Sequence, residues 1–509
     1  MLKDNKILIG KAGEKDICLN PAQMNRHGLI AGASGTGKTV TLKVIAESLS
    51  ELGVPTVIAD VKGDLTGMIV PGDRDGIDGR LKSMGIEEYE CRRFPVHFFD
   101  VYQKDGHPIR ARLQEMGPML ISRMLDLTEA QQGVLNIIFR VARDMELDII
   151  DLKDLQAMTG YVGEHAKEYT IKYGNVSKQS VGAIQRRLLE IEQEGGDLFF
   201  GMPSLNIDDW MSVEGGLGVM NMIECEELFS HPLLYSTFLF WMLNELYERL
   251  PEVGDLDKPK MVFFFDEAHL LFNNASRQLM EKIEQTVKLI RSKGVGVFFV
   301  TQTPADIPGS VLGQLSNRIQ HSLRAYTPAE IKAAKLAADS FRANPELDVA
   351  DLISNMETGK ALVSVLDEKG APTVVELTKI LPPKSSMVIA DPEAVRRVIE
   401  HDSLYGVYER SNDPLSAYEE IDNILAAEEQ ARIDAEEQKK QEKLAAEEAK
   451  RQAKEEERRA REEARAAAKK ANEKSEAEKL AQKAKNKLEN EMLNIGIRQA
   501  RKFLKNFLK

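Results

Sequence analysis

Short apolar runs alternate with amphipathic stretches through much of the first 380 residues of the chain. The runs are rich in Val, Ile, Leu and Phe, and several are apolar at every position, as in parallel strands covered by helices on both faces. The alternation predicts an α/β protein built on a parallel sheet. The predicted strands cover residues 29–31, 56–60, 96–100, 218–223, 261–265, 295–301 and 361–366.

The alternation stops between residues 106 and 212, where apolar residues recur at spacings of three and four. Such spacing is typical of helices, so we expect residues 106–212 to form an all-helical insertion. The strands on either side of it still pair in one sheet in this interpretation. The predicted core then has a first part, residues 1–105, and a second part, residues 213–420.

Residues 421–509 form a region of different composition. No proline follows Pro414, and Ala, Glu, Lys and Arg dominate from residue 424 onward. Glu precedes Arg or Lys by four residues at several places, which is the order that stabilises an isolated helix. Large apolar residues are too sparse there to sustain a heptad. The composition therefore predicts a charged helical tail that is solvated, in preference to a strong coiled coil.

Charge is distributed unevenly along the 509 residues, whose net charge is −13. Residues 424–509 carry 23 basic and 18 acidic side chains, whereas residues 1–423 carry 45 basic and 63 acidic ones, a net charge of −18. An acidic body repels phosphate over long range. Any contact with nucleic acid is therefore expected to be local, for example through the lining of a pore.

The cysteines and the lengths of the apolar runs indicate the cellular compartment of the protein. The three cysteines, Cys18, Cys91 and Cys225, form no CxxC motif and are odd in number, so they predict neither a disulfide framework nor a common zinc site. The first residues lack the apolar core of a signal peptide, and no run approaches the roughly 18 apolar residues of a membrane span. We expect a cytoplasmic protein.

The strongest chemical signal follows the first predicted strand, where the chain matches the pattern G-x-x-x-x-G-K-[ST] in full. Its glycines let backbone N–H groups turn toward phosphates, and the following helix adds the positive end of its dipole. Lys38 is placed to reach the β- and γ-phosphates, and Thr39 to hold Mg²⁺. The predicted nucleotide-binding residues are Gly32, Ser34, Gly35, Thr36, Gly37, Lys38 and Thr39.

The second half of such a site is an apolar strand that ends in an acid, and residues 261–265 run directly into Asp266 and Glu267. We expect Asp266 to contact Mg²⁺. Glu267 is placed to orient or deprotonate the attacking water. An acid pair also occurs as an ordinary strand end, but its combination with the glycine-rich loop favours ATP hydrolysis with Mg²⁺.

Two further residues flank the predicted strand at 295–301. Gln302 ends it, and because parallel strands present their carboxyl ends to the ligand, Gln302 is expected beside Glu267, where it can sense the γ-phosphate. Arg291 precedes the strand and is too far to reach the nucleotide of its own chain, but it can reach that of a neighbour. A solvated strand end and a helix-terminal cation are the alternative readings of Gln302 and Arg291.

Other polar residues near these strands have less specific interpretations. Asp60 begins the segment Asp-Val-Lys-Gly-Asp after a strand, for which a structural turn is as plausible as a catalytic role. Arg318 and Arg324 are secondary candidates for an arginine that acts on a neighbouring nucleotide. We expect His269 to have a packing role rather than a catalytic one.

These motifs together resemble the HerA/FtsK superfamily of RecA-like ATPases, and within it the bacterial HerA-like YjgR family. The resemblance covers about residues 10–410. It implies a RecA-like fold, a homo-hexameric ring and ATP-driven movement of DNA or protein. By position it implies phosphate and Mg²⁺ ligands at Lys38 and Thr39, the acid pair at Asp266 and Glu267, the polar sensor at Gln302 and the trans-acting arginine at Arg291. The most similar segments are NRHGLIAGASGTGKTVTL, IADVKGDLTG, QSVGAIQRRLLEIEQEG, VFFFDEAHLLF, IRSKGVGVFFVTQTPADIP and LGQLSNRIQHSLRAYTP.

Three functions are consistent with these residues. The leading one is a HerA/FtsK-type hexameric motor that acts as a DNA translocase or helicase. The others are an ATPase that remodels or secretes protein and a nucleotide-gated scaffold. HerA proteins carry an N-terminal β-barrel that docks a nuclease, whereas only 31 residues precede Gly32 here, so we do not expect that partnership.

The end of the tail predicts a separate contact. Residues 482–509 hold 8 basic and 2 acidic side chains, and on a helical wheel the apolar ones share a face from which most of the basic ones are excluded. Such a helix suits an anionic membrane surface or a protein partner. Docking on the acidic body and a frayed terminus are the alternatives. The apolar face comprises Leu493, Ile497, Ala500, Leu504, Phe507 and Leu508.

Overall fold

The computed structural model describes residues 1–254, 256–273 and 277–506. Contacts divide the chain into two compact units, Met1–Asp422 and Asn423–Lys509. In the first unit, strands and helices alternate around one large sheet, and a helical segment interrupts the alternation after the third central strand. The second unit is helical. This confirms the predicted fold class: a RecA-like α/β sheet with a helical insertion and a charged helical tail.

Strands in the described residues are short and concentrated in the first 100 residues and after residue 212. They are β1 (Leu2–Lys3), β2 (Lys6–Ala12), β3 (Lys15–Leu19), β4 (Gly28–Ala31), β5 (Thr56–Asp60), β6 (Val96–Asp100), β7 (His107–Pro108), β8 (Val213–Glu214), β9 (Leu217–Gly218), β10 (Met220–Glu224), β11 (Met261–Phe265), β12 (Val295–Thr301), β13 (Asn317–Gln320), β14 (Lys360–Ser364) and β15 (Glu376–Ile380). Each of the seven predicted strands overlaps one of these.

Helices occupy most of the remaining chain. They are α1 (Lys38–Glu51), α2 (Arg74–Lys82), α3 (Leu113–Met124), α4 (Glu129–Asp144), α5 (Leu152–Glu164), α6 (Ala166–Tyr173), α7 (Lys178–Gln193), α8 (Gly196–Phe199), α9 (Glu226–Phe229), α10 (Pro232–Arg249), α11 (His269–Asn273), α12 (Arg277–Leu289), α13 (Gly309–Leu312), α14 (Pro328–Asp339), α15 (Val349–Asn355), α16 (Pro392–His401) and α17 (Ala417–Asn506). No helix in the described ranges is long and apolar enough to cross a membrane.

The large sheet has the order β1-β2-β15-β14-β13-β4-β12-β11-β5-β10-β6-β7, with β3 paired to β2. Its centre, from β13 to β7, is parallel, whereas β13, β14, β15, β2 and β1 pair with one another antiparallel. The N-terminal strands β1, β2 and β3 therefore extend the antiparallel edge. The helical insertion, α3 to α8, lies between β7 and β8. After it, β8 and β9 form a separate two-stranded antiparallel sheet, and β10 returns to the large sheet between β5 and β6.

Large aromatic side chains fill both faces of the central strands. Phe264 of β11 contacts Phe298 of β12 on one face, where α1 contributes to the same apolar core. On the other face Phe263 meets Trp210, which precedes β8. All four aromatic residues are buried, and each contributes about 1.5–3 kcal/mol of apolar burial. Successive residues of β11 thus anchor helices on both sides, as its wholly apolar sequence predicts.

The strand before the glycine-rich loop, β4, begins at Gly28, where there is no room for a side chain. A Cβ atom on Gly28 would lie 2.1 Å from the ring of Phe298. Phe298 is completely buried and has no room to move aside. Glycine therefore lets β4 and β12 pair with the ring of Phe298 lying over β4.

The tail unit consists of α17 beyond residue 422. Two ion pairs there have the predicted order and spacing of four, Glu455 with Arg459 at 3.7 Å and Glu457 with Arg461 at 3.3 Å. Both are exposed, so each contributes only a few tenths of a kcal/mol. Phe507, Leu508 and Lys509, part of the predicted amphipathic end, lie outside the described residues.

Candidate active site

The predicted site residues other than Arg291 lie at the carboxyl edge of the parallel strands. Thr301 at the end of β12 pairs with Ala31 at the end of β4, and Phe265 at the end of β11 pairs with Phe299 of β12 and Ala59 of β5. The segments that follow these four strands therefore start side by side. This is the edge at which parallel sheets bind ligands.

The loop after β4 has the backbone that its glycines predict. Gly35 and Gly37 have φ angles of 75° and 114°, values that favour glycine. Gly37 ends the loop, and α1 begins at Lys38. Within the loop, the Thr36 hydroxyl donates to the Ala33 carbonyl at 2.7 Å. Residues 32–37 thus form a turn that ends at the N-terminus of a 14-residue helix, an arrangement suited to phosphate.

The side chain of Lys38 is buried against this loop. Its ammonium donates to the carbonyl of Gly32 at 2.8 Å and to that of Ala33 at 3.3 Å. Burial lowers the pKa of Lys38, and the negative charge of Glu267 partly opposes that change. The ammonium therefore lies within the electrostatic reach of the acid pair. Thr39 follows on α1 and is half-buried.

Asp266 and Glu267 follow β11 directly, and both are buried, at 5% and 4% exposure. Burial raises the pKa of Asp266 to about 7, and the charge of Glu267 adds to that increase. Burial also raises the pKa of Glu267, but a hydrogen bond and the charge of Lys62, together with Lys38, hold it below its ordinary value. The two adjacent carboxyls are thus differentiated by their surroundings, as acid–base sites often are.

The backbone at Glu267 is unusual. Its φ of 45° places a non-glycine residue in the left-handed region, which costs about 1–3 kcal/mol and occurs preferentially at functional sites. The conformation turns the chain sharply at the end of β11, and the amide of Ala268 donates to the carbonyl of Val300 at 2.8 Å. The strain is compensated by this packing against β12.

Gln302 lies where the strand order predicts. Its side-chain nitrogen is 3.4 Å from Oε2 of Glu267. Asp306 fixes the loop after Gln302 by accepting hydrogen bonds from the Thr301 hydroxyl at 2.7 Å and the Thr303 amide at 3.2 Å. Gln302 itself is exposed, so its carboxamide can turn toward either Glu267 or a bound group.

The segment after β5 contributes a residue that the sequence had not singled out for the site. Asp60 is a structural residue of the turn, because its carboxylate accepts hydrogen bonds from the amides of Lys62 at 3.1 Å, Gly63 at 2.9 Å and Leu65 at 3.0 Å. Burial raises the pKa of Asp60 to about 6. The turn presents Lys62, whose ammonium forms an ion pair with Oε1 of Glu267. The available signal was a lysine two residues after a buried strand at this edge.

His321 is a second residue that sequence reasoning missed. It follows β13, and its amide donates to the Ala31 carbonyl at 2.7 Å. Its ring lies 2.8 Å from the Thr41 hydroxyl of α1. Burial lowers the pKa of His321 to about 4, which keeps the ring neutral close to Lys38. His321 therefore connects β13, the glycine-rich loop and α1. It also requires glycine at position 32, because a Cβ atom on Gly32 would lie only 2.5 Å from the Cβ atom of His321.

His269, Arg318 and Arg324 occupy different environments. Nδ1 of His269 lies 3.1 Å from Oε2 of Glu267, so the ring adjoins the site. Arg318 donates to three backbone carbonyls, those of Leu312, Leu315 and Ser340, and Arg324 is exposed. These contacts assign Arg318 to the local structure.

Arg291 lies at the opposite edge of the sheet. It belongs to the 3₁₀ turn Ile290–Lys293, immediately before β12, and the seven residues of β12 separate it from Gln302 by roughly 20 Å. It lines a cavity of about 480 Å³ together with Asn25, Glu252 and Lys288. Arg291 is therefore remote from the glycine-rich loop of its own chain.

The donor set at the carboxyl edge fits Mg²⁺ bound together with phosphate. Among the described residues, no group of three or more His, Cys, Asp and Glu side chains forms a metal site made of protein alone. Mg²⁺ commonly takes one or two protein oxygens and completes its shell with phosphates and water. The buried carboxyl of Asp266, with its raised pKa, is a group whose ionised form a cation stabilises.

The sheet, the glycine-rich loop with its lysine, and the acid pair beside a polar strand end define a P-loop ATPase with a RecA-like core. The chain belongs to the family described as Helicase HerA-like C-terminal, whose model matches residues 5–501. It is therefore an ATPase of the HerA/FtsK type.

Individual relatives agree with this assignment. The chain is 22% identical over 382 residues to the DNA double-strand break repair helicase HerA of Sulfolobus acidocaldarius, covering 73% of this chain and 68% of that protein. It is 22% identical over 375 residues to the protein of the same name from Saccharolobus solfataricus, covering 71% of this chain and 66% of that protein. The chain thus spans about two thirds of the length of these relatives.

A solved structure shares the fold. The bacterial conjugative coupling protein TrwBdeltaN70 aligns with a TM-score of 0.51 and 13% identity, covering 76% of this chain and 92% of that one. At this identity the likeness concerns the fold alone. It agrees with the RecA-like sheet described above.

Proposed function

We propose that the protein is an ATP-driven homo-hexameric motor that moves along double-stranded DNA. The observation that carries this proposal is the placement of Lys38, Glu267 and Gln302 at one edge of the sheet. Arg291 lies at the other edge, where only a neighbouring subunit's nucleotide is within its reach. The relatives named above are DNA helicases, which supports DNA as the track.

Phosphate binding is assigned to the loop between β4 and α1. Backbone amides there and the N-terminus of α1 face the same space, and Lys38 supplies the charge that phosphates need. On nucleotide binding, its ammonium exchanges the carbonyls of Gly32 and Ala33 for phosphate oxygens. The assigned phosphate-binding residues are Gly32, Ser34, Gly35, Thr36, Gly37, Lys38 and Thr39.

Thr39 and Asp266 would hold Mg²⁺, which when bound offsets the charge of the β- and γ-phosphates. Glu267 accepts a proton from the attacking water, and its burial excludes competing solvent. Gln302 contacts the γ-phosphate and reports its presence to Glu267. Arg291 of one subunit stabilises the charge that develops on the nucleotide of the next.

The charge of the body limits how DNA can be bound. Residues 1–423 have a net charge of −18, so a DNA-binding surface has to be a local basic lining within the ring. The same acidity favours the second candidate function, an ATPase that moves or remodels protein. The three cysteines are free thiols, which supports a reducing, cytoplasmic location for either motor.

A triplex-displacement assay tests the proposal. The full chain is given ATP, Mg²⁺ and a DNA duplex that carries a labelled third strand, which only a protein moving along the duplex removes. We expect ATP-dependent release by the natural protein and none by Glu267→Gln, which retains the nucleotide site but lacks the base. ATP hydrolysis without any release, and without stimulation by DNA, would favour the protein-moving alternative.

The end of α17 is proposed as a recruitment arm. Its last described turns combine exposed Leu493, Ile497 and Leu504 with Arg498 and Arg501. A basic amphipathic helix of this kind suits a peripheral contact with an anionic membrane or an acidic protein surface.

A further inference from the structure

We propose that Lys62 is a positioning residue that restrains Glu267, and that the ion pair between them opens before Glu267 accepts a proton from water. The inference rests on the proposed function, because it concerns the same hydrolytic step. It adds a residue that neither the P-loop pattern nor the acid pair contains.

The strand order places the segment that carries Lys62 on the β5 side of Glu267. The sheet runs β4-β12-β11-β5, so the loop after β4 starts two strands from Glu267, about 10 Å away. Lys62 follows β5, the neighbour of β11 on the other side. Its ammonium holds Oε1 of Glu267 from that side, and it lies close enough to Lys38 to contribute to the lowered pKa of that lysine.

Each carboxylate oxygen of Glu267 has a polar neighbour within 3.4 Å. Oε1 pairs with Lys62, while Oε2 lies 3.1 Å from Nδ1 of His269 and 3.4 Å from the carboxamide nitrogen of Gln302. A general base needs a lone pair directed at the proton that it accepts. Release of Lys62 frees Oε1 without disturbing the contacts of Oε2.

Only the side chain of Lys62 has to move for the pair to open. Asp60 fixes the backbone of the turn through the amides of Lys62, Gly63 and Leu65. The side chain of Lys62 is 41% exposed, whereas that of Glu267 is 6% exposed. The ammonium can therefore swing into water on its flexible stem, while the buried carboxylate stays at the site.

Steady-state ATP hydrolysis by Lys62→Met tests this restraint, because methionine keeps much of the apolar stem and removes the charge. We expect kcat to rise about two- to fivefold, the range for loss of one partly exposed ion pair, with KM for ATP within about twofold. Lys62→Arg restores a cation that pairs with carboxylates, so its kcat should not exceed that of the natural protein. Lys15→Met is the matched control, because it also removes the charge of a lysine in an ion pair. Lys15 pairs with Glu376 at 2.5 Å, and both residues lie away from the site.

The double variant Lys62→Met/Glu267→Gln should be as inactive as Glu267→Gln alone, since the gain acts through Glu267. A decrease or no change in kcat for Lys62→Met, with its thermal unfolding unchanged, overturns the inference. A several-fold increase in KM would instead make Lys62 a nucleotide ligand, which also overturns it. If Lys62→Met does not fold, Lys62→Gln replaces it. Absence of hydrolysis by the natural protein would refute the proposed function itself, whereas failure of the Lys62 variants alone would not.

Discussion

Glu267 is held by partners from both neighbouring strands and by a left-handed backbone. Lys62 approaches from the β5 side and Gln302 from the β12 side, while the φ of 45° fixes the direction of the side chain. A carboxylate that merely ended a strand would need none of these. The combination of strain, burial and paired partners is typical of a catalytic group.

Replacement of Gln302 by Ala tests its proposed contact with the γ-phosphate. We expect kcat for ATP hydrolysis to fall about ten- to a hundredfold, as for loss of a polar group that orients the transition state, with KM little changed. Gln156→Ala is a matched control, because Gln156 donates to Glu192 at 2.8 Å in the helical insertion. Similar losses in both variants, or a change in KM alone, would contradict the assignment.

The residues that were predictable from sequence differ in kind from those that were not. Lys38, Asp266 and Glu267 belong to contiguous motifs whose spacing carries their chemistry. Lys62 reaches a partner 205 residues away, and His321 one that is 280 residues away. Contacts of that kind depend on strand order, which no local pattern states.

Strands at the centre of the sheet were predictable because burial on both faces makes them apolar throughout. Among the described residues, the strands that were missed are β1, β2, β3, β7, β8, β13 and β15. In β13 the side chain of Asn317 is buried but donates to the carbonyl of His27 at 3.0 Å. A buried strand can therefore contain polar residues when tertiary hydrogen bonds satisfy them, and its sequence then resembles a loop.

The edge strand β7 is joined to the segment after α16 by a charged cluster. His107 is completely buried, with Nε2 at 2.6 Å from Asp402 and Nδ1 at 2.6 Å from Glu409. Burial lowers the pKa of His107, but the two carboxylates outweigh it and hold the pKa above its ordinary value. Because the folded pKa is raised, protonation stabilises the fold below the ordinary pKa of about 6.5. This contribution is lost as the pH rises through the folded pKa.

Urea unfolding of the natural protein and of His107→Gln at pH 6, 7.5 and 9 checks this contribution. At pH 6 we expect the variant to be less stable by roughly 3 kcal/mol, as for removal of one partner of a buried ion pair. The difference should shrink toward pH 9. His401→Gln changes an exposed histidine and serves as the control. A difference that is the same at all three pH values would refute the role of the protonated ring.

The nucleotide site and Arg291 lie at opposite edges of one sheet. This arrangement suits an assembly in which Arg291 of one subunit completes the nucleotide site of the next. Mixing inactive Arg291→Ala with inactive Glu267→Gln protein tests this. In a random equal mixture about a quarter of the interfaces combine an intact Glu267 with an intact Arg291, so hydrolysis should recover to that order. Lys288→Ala, which alters the same cavity, should stay active alone. No recovery, with mixed rings shown by mass, would exclude Arg291 and leave Arg324 as the candidate.

The tail is predicted to be separable from the motor. Ala417 and Ile421 are buried within the first unit, so a deletion of residues 424–509 leaves that packing intact. We expect near-normal ATP hydrolysis and assembly, together with loss of salt-sensitive binding to anionic vesicles. Failure of the truncated protein to assemble, or absence of vesicle binding by the full chain, would refute the recruitment role.

Lys38 and Glu267 are proposed to act on one ATP molecule in different ways. Equilibrium binding and turnover of ATP by Lys38→Ala and Glu267→Gln test it most directly. We expect Lys38→Ala to lose ATP binding, because it lacks the phosphate cation. Glu267→Gln should bind ATP normally and hydrolyse it very slowly, because it lacks only the base. An equal loss of ATP affinity in both variants, or normal turnover in either, would contradict the account.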